Sequence, residues 1–384
     1  MGPSGKSWRR WAGAAVLVLA GLVAAVVEAA EPAPIVRVVG PSQRVYTGEA
    51  YGLSFVPDGH MSVLARADGS WSVWWGGGVR AGAGHTVGST SKDLRDFVPL
   101  TLSNGVALGE LGPVGGGTAF DADYAGPGSV LPDPAWNDDR HLVMFYHGEN
   151  HTFAGRHRDD AYYAAVGVAR SADGGRTWVR GGRILDGMVP HGAGDPARSA
   201  LGAGMPSVVI SGGYYWLFFV DWNTTLPDCV HVVRAPVSGG GKPGTWRKWY
   251  QGSFSEPGLG GRSTPVVTPP RGESIYAGLP DVSWNTALGR WLMVFESNDA
   301  YWAVASSDLV SWGDAARIIG NPAGAASRRP GAYWTSYATL ISPTGASDRV
   351  TGAAGWLYQA RGIWGVTSHV MYRVPVWIGP AVRP

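Results

Sequence analysis

Residues 120–128 read FDADYAGPG and residues 171–178 read SADGGRTW. Between them lie three apolar runs, Ser129–Leu131, His141–Tyr146 and Ala164–Arg170, separated by Gly, Pro, Asp and Asn. Short apolar runs punctuated by turn formers are strands. Residues 121–178 are read as one four-stranded antiparallel unit, with these runs as three of its strands. Its second strand ends on an unusually polar cluster, His147-Gly148-Glu149-Asn150-His151.

The same unit recurs along the chain. AYGLSFVPDG (50–59), AGPGSVLPDP (125–134), GAGMPSVVISGG (202–213), AGLPDVSWN (277–285) and TSYATLISPTG (335–345) each begin one. Second strands follow at Met61–Ala65, His141–Tyr146, Tyr214–Val220, Trp291–Glu296 and Gly355–Gln359. Third strands end in Asp-containing turns at Ser91–Phe97, Ser171–Trp178 and Ser306–Trp312. Repeated four-stranded antiparallel sheets make a β-propeller. The expectation is an all-β, five-bladed propeller over residues 30–384, with blades starting near 50, 127, 205, 279 and 337. A six-bladed, sialidase-like ring is the alternative. Ile35–Val39 is expected to close the ring by joining the last blade. The connections from second to third strand, and from each blade to the next, then share one face, where the long polar loops gather.

Composition agrees with this and excludes other classes. There are 58 Gly, 27 Pro and 19 Trp in 384 residues, a load no helical protein tolerates. A net charge of +2 without basic clusters past the N-terminus offers no footprint for nucleic acid. The single Cys229 cannot make an internal disulfide and has no metal-ligand array around it. Lys6, Arg9 and Arg10 precede the apolar run Ala12–Val27, the layout of a secretory signal peptide over residues 1–29. The expectation is an extracytoplasmic, secreted or periplasmic monomer without stable membrane insertion.

SADGGRTW matches in full the Asp-box, Ser-x-Asp-x-Gly-x-Thr-Trp, of sialidases and other propellers. That resemblance implies a structural turn, with Asp173 and Trp178 as fold residues. The shorter Ser-x-Asp-Leu-x-x-aromatic turns at Ser91–Phe97 and Ser306–Trp312, and LPDVSWNTALGRWLMVFES (279–297), resemble five-bladed glycoside hydrolases of families 43, 32 and 62. The resemblance implies a glycosidase acting on an oligosaccharide or polysaccharide. Those families carry a carboxylate before the proline that opens an inner strand. Here the corresponding positions are Pro127, Met205 and Leu279, so the usual triad does not transfer.

Candidates follow from strand direction instead. Glycoside hydrolysis needs two carboxyl groups flanking one bond, placed at the start of a first strand or the end of a second. Glu149 with Asp123 is the leading pair, with Glu49 and Glu296 as alternates or modulators. Asp121 and Asp281 read as turn and inter-blade groups. His147, His151, Asp221, Trp222, Arg262, Trp302, Tyr337 and Trp364 are substrate-binding candidates, with Arg361, His191 and Asp195 near them. His147-x-Glu149-x-His151 also has the alternation of a divalent-cation site. No cofactor is expected, and a bound cation is the alternative. A carbohydrate-binding propeller without catalysis, and a sialidase-like enzyme, are the competing functions.

Overall fold

The computed structural model describes residues 33–46, 57–78, 84–100, 109–115, 117–136, 138–153, 155–192, 198–223, 227–271, 276–298, 300–320, 331–363 and 369–380. The signal segment expected over 1–29 lies outside them. Strands dominate the described residues, and no helix among them is long and apolar enough to cross a membrane.

The strands pair as antiparallel meanders. The second meander runs Tyr124–Pro132, Leu142–Asn150, Tyr162–Ser171 and Val179–Asp186, from inner to outer strand. The third runs Ala200–Ser211, Tyr214–Trp222, Cys229–Pro236 and Arg247–Tyr250, with Ser253–Pro257 added outside. The fourth runs Gly278–Asn285, Arg290–Ser297, Ala300–Ser306 and Ala316–Gly320. The fifth has Tyr333–Ile341, Ala354–Ile363 and His369–Gly379, and Ile35–Val38 supplies its outer strand, pairing Ile35 with Gly379.

The first meander corrects the sequence reading by one strand. Met61–Ala65 is its inner strand, followed by Trp71–Gly78, Gly84–Ser91 and Phe97–Pro99. The run at 50–56, expected to start this unit, lies outside the described residues. The level of the first meander's mouth therefore falls at Pro57–His60.

Two interactions close the ring. Apolar side chains interleave between successive sheets: Trp74 with Val130 and Met144, Phe145 with Val208 and Leu217, Phe218 with Val282 and Phe295, Val294 with Leu340 and Leu357, and Ile341 and Tyr358 with Val63 and Trp75. Around the axis, one small polar side chain per inner strand accepts a backbone N–H of the next sheet. Ser62 takes Val130 at 3.0 Å, Ser129 takes Val208 at 2.8 Å and Ser207 takes Val282 at 2.9 Å. Asp281 takes Leu340 at 2.7 Å, and Thr339 takes Met61 at 3.1 Å. A buried N–H left unpaired is costly, so this ring fixes the level of each sheet against the next.

The Asp-containing turns hold the outside. Asp173 Oδ1 accepts the N–H groups of Arg176 and Thr177, and Ser171 Oγ accepts that of Gly175. Ser91/Asp93 and Ser306/Asp308 repeat the pattern, with Leu94 and Leu309 in the left-handed region that Gly174 and Gly175 occupy in the longer turn.

Candidate active site

The mouth of the channel is shaped by a repeated irregularity. Four inner strands bulge at the same level: Pro127/Ser129, Gly204/Ser207, Gly278/Asp281 and Ser336/Thr339. Bulges re-aim side chains and recur beside active sites. In three of them a non-glycine residue takes positive φ: Met205 at 53°, Leu279 at 52° and Tyr337 at 63°. Met205 and Leu279 pack with Trp222, Tyr162, Tyr276 and Tyr337 into an aromatic floor.

Asp58 stands over that floor. Its own N–H donates to Gly76 O at 2.8 Å, and its carbonyl accepts the Tyr124 hydroxyl. His369 donates to the adjoining Pro57 O at 2.6 Å, and the Asp58 carboxylate accepts the Tyr337 hydroxyl at 3.0 Å. A Cβ at Gly76 would collide with the Asp58 carbonyl oxygen, so glycine is required for this approach. Burial, and then the charge of Glu149, push the Asp58 carboxyl up to about 6.

Glu149 ends the second strand of the second meander, and alternation puts His147, Glu149 and His151 on one side. Glu149 Oε1 accepts His147 Nε2–H at 2.9 Å and Oε2 accepts His151 Nε2–H at 2.9 Å. The partners of the far ring nitrogens assign the protons. His147 Nδ1 accepts the Met205 N–H at 3.4 Å, which leaves Nε2 to donate to Glu149. His151 Nδ1 faces the Arg158 carbonyl at 3.2 Å, an acceptor, so both its nitrogens carry protons and His151 is a cation. Burial opposes ionisation of Glu149, but the two imidazole donors outweigh it and hold its carboxyl below the usual range. Burial likewise opposes the His151 charge, and Glu149 overcomes it to raise that imidazole. A Cβ at Gly204 would collide with His147 Nδ1, which is why the neighbouring inner strand carries glycine there.

The sequence candidates separate in space. Glu149, His147, His151 and Tyr337 lie in this cluster, and Trp222 packs behind it, 6.0 Å from His147 and 5.9 Å from Tyr162. Asp123 stands beside it in a supporting position, its carboxylate accepting the His151 backbone N–H at 2.7 Å. Glu296 bonds Ser336 and Tyr337.

The other candidates are placed elsewhere. Asp221 is fully enclosed, accepts the Met188 N–H, and is raised to about 7 by burial; it has no surface to offer a substrate. Arg262 pairs with Glu256 at 3.1 Å and stacks on Tyr250 at the outer hairpin. Trp302 lines a flank cavity of about 480 Å³ with Val267, Arg271 and Trp312. Asp121 is buried against Tyr146 and Arg180. Arg361 stacks on Tyr372, and His191 packs on Tyr163. Glu49, Asp195 and Trp364 lie outside the described residues. Among the described residues, no three His, Cys, Asp or Glu side chains form a group that could hold a metal ion.

Asp58 is the residue that sequence reasoning passed over. Pro57-Asp58-Gly59 directly precedes an apolar run, the required signal, but the one-strand displacement in the first meander assigned that run to a second strand.

Neither a family model nor a curated protein sequence matches the chain. Solved structures do match its fold. Zg3597, a family 117 glycoside hydrolase from Zobellia galactanivorans, superposes with a TM-score of 0.53 at 13% identity, covering 92% of this chain and 94% of its own. BT0996, solved as an RGII complex, gives 0.51 at 14% identity, with coverages of 89% and 95%. An α-L-arabinofuranosidase from Lactobacillus brevis gives 0.50 at 8% identity, with coverages of 86% and 92%. The protein shares the all-β propeller fold of these structures.

Proposed function

We propose that the protein is an extracytoplasmic glycoside hydrolase that cleaves an oligosaccharide or polysaccharide, with Asp58 as general acid and Glu149 as the ionised partner. The observation that carries this reading is that Asp58, fixed by the Tyr337 hydroxyl, stands near enough to the imidazole-bonded Glu149 for one carboxylate to raise the other. Such divergence is how acid and base roles are divided between like residues. Asp58, pushed up to about 6 by burial and by Glu149, keeps a proton to deliver to the leaving oxygen. Glu149, held ionised by two N–H donors, is ready to activate water or to attack the sugar carbon. Tyr162 and Tyr337, half-buried in the floor, supply flat faces for a pyranose or furanose ring. The fold neighbours that are described as a glycoside hydrolase and an arabinofuranosidase support the same class.

The test is turnover of 4-nitrophenyl α-L-arabinofuranoside, 4-nitrophenyl β-D-galactopyranoside and a set of plant and algal polysaccharides. Glu149→Gln and Asp58→Asn are each expected to lose roughly 10²–10⁴-fold in kcat/KM. Asp58→Asn should regain rate with a 2,4-dinitrophenyl leaving group, which needs no proton. Asp123→Asn should fall far less. Wild-type activity in both Glu149→Gln and Asp58→Asn would remove the pair from the mechanism.

A further inference from the structure

Glu296 is the penultimate residue of its strand in the fourth meander, and its carboxylate turns toward the fifth. Oε1 accepts the Tyr337 backbone N–H at 2.5 Å, and the Ser336 hydroxyl reaches both oxygens at 3.1 and 3.0 Å. Tyr337 is the bulge residue with φ 63°. A non-glycine residue held there is strained and persists only when its surroundings over-determine it. Glu296 supplies that constraint from a different sheet. At the far end of the same residue, the phenol hydroxyl donates to Asp58 Oδ1 at 3.0 Å.

Resting on the reading of Asp58 as the acid, we propose that Glu296 is a positioning residue: its carboxylate locks the left-handed backbone of Tyr337, whose hydroxyl then fixes Asp58 for proton transfer. The charged and titratable groups facing Asp58 are Glu149 and His147 from the second meander's second strand, Tyr124 from its inner strand, Tyr162 from its third strand, and Tyr337. Tyr337 is the one whose hydrogen bond favours the ionised form. Glu296 reaches Asp58 through Tyr337, while its own charge bears on Tyr276 and Tyr301. Removing the clamp and removing the hydroxyl should therefore have one and the same effect on Asp58.

The test reads the Asp58 proton directly, by carboxyl ¹³C NMR of protein labelled with [4-¹³C]aspartate, the resonance being assigned with Asp58→Asn. Tyr337→Phe should raise the Asp58 midpoint by about half a pH unit or more. Glu296→Ala should raise it in the same direction, and the double variant should match the singles instead of adding, the mark of one shared path. Glu296→Asp keeps the charge but is one methylene shorter. It should shift the midpoint similarly, and it serves if the alanine variant does not fold. Glu296→Gln keeps an acceptor oxygen for both donors and should leave the midpoint within about 0.2 pH unit of wild type, and kcat/KM on 4-nitrophenyl α-L-arabinofuranoside within about threefold. In the clamp variants the alkaline limb of kcat/KM should move upward with the NMR midpoint.

An unmoved Asp58 midpoint in Glu296→Ala and Glu296→Asp, or a downward one, would overturn the proposal. So would a 10³-fold loss in Glu296→Gln, which would make Glu296 a reacting group. Full activity in Asp58→Asn would instead defeat the assignment of the acid, and the NMR shifts would still stand or fall by themselves.

Discussion

Asp58 and the Glu149–His151 pair depend on pH in opposite senses. Asp58 has its carboxyl raised from 3.8 to about 6 in the fold. Its contribution to stability is present below 3.8 and is lost as the pH rises through about 6. Asparagine cannot ionise, so Asp58→Asn should be more stable than wild type at pH 8, by on the order of 2 kcal/mol in urea unfolding. The two proteins should differ little at pH 3.5. A variant no more stable than wild type at pH 8 would show that the Asp58 carboxyl is not raised. Glu149 is lowered from 4.5 and His151 is raised from 6.5. The contribution of Glu149 is full above 4.5 and fades as pH falls through its lower folded value. That of His151 is full below 6.5 and fades as pH rises through its higher folded value. The pair should therefore stabilise most between those limits. An NMR titration of the His151 ring should give a midpoint above 6.5 that drops in Glu149→Gln.

Turns and bulges divide structural from chemical roles among the strands. Asp173 binds the backbone N–H groups of Arg176 and Thr177 and the hydroxyls of Ser171 and Thr177, with Trp178 set edge-on to Trp74. Asp173→Ala should cost about 1–2 kcal/mol in stability while leaving kcat on aryl glycosides unchanged. A lost kcat with intact stability would give that turn a role in the reaction. The turn was legible in the sequence because its donors and acceptors all lie within seven residues. The bulges were not legible. Met205, Leu279 and Tyr337 look like ordinary strand residues yet take positive φ, and for Met205 and Tyr337 a side chain of a neighbouring sheet, His147 and Glu296, holds the backbone N–H. Tyr337 needs Glu296, forty-one positions earlier, to stay there.

Across the whole molecule the sheets are locked at the end of the channel opposite the mouth. Arg349 donates to Asp281 at 2.7 Å, to Ser207 at 2.6 Å and to the Val282 carbonyl at 2.8 Å, and it pairs with Asp348. Asp348 in turn accepts the Val63 N–H at 3.0 Å. One loop of the fifth meander thus ties the first, third and fourth together. Arg349→Met would leave two buried carboxylates without their cation, a loss of about 3–5 kcal/mol, and the variant should recover part of its stability in acid. Ser207→Ala would strand the Val282 N–H and one Arg349 donor, at about 1–3 kcal/mol. Urea unfolding checks both. A change of under about 0.5 kcal/mol in Arg349→Met would show that this loop does not hold the sheets together.

Local chemistry was enough to read the strands, their punctuating turns, the repetition that makes a propeller, and the HGENH cluster at a strand end. Each of these depends on residues close together in the chain: strand period, turn bonding, and alternation of side chains. The proposed acid, Asp58, depends on contacts far apart in the chain. The charge of Glu149 bears on Asp58 because the first and second sheets stand side by side, and Tyr337 reaches Asp58 only because the last sheet closes against the first. Asp123, adjacent to Tyr124 in sequence, was the nearer choice on paper, yet its carboxylate is spent on the His151 backbone. Which carboxyl keeps a proton is decided by burial and by the charge across the channel, and a linear sequence carries neither.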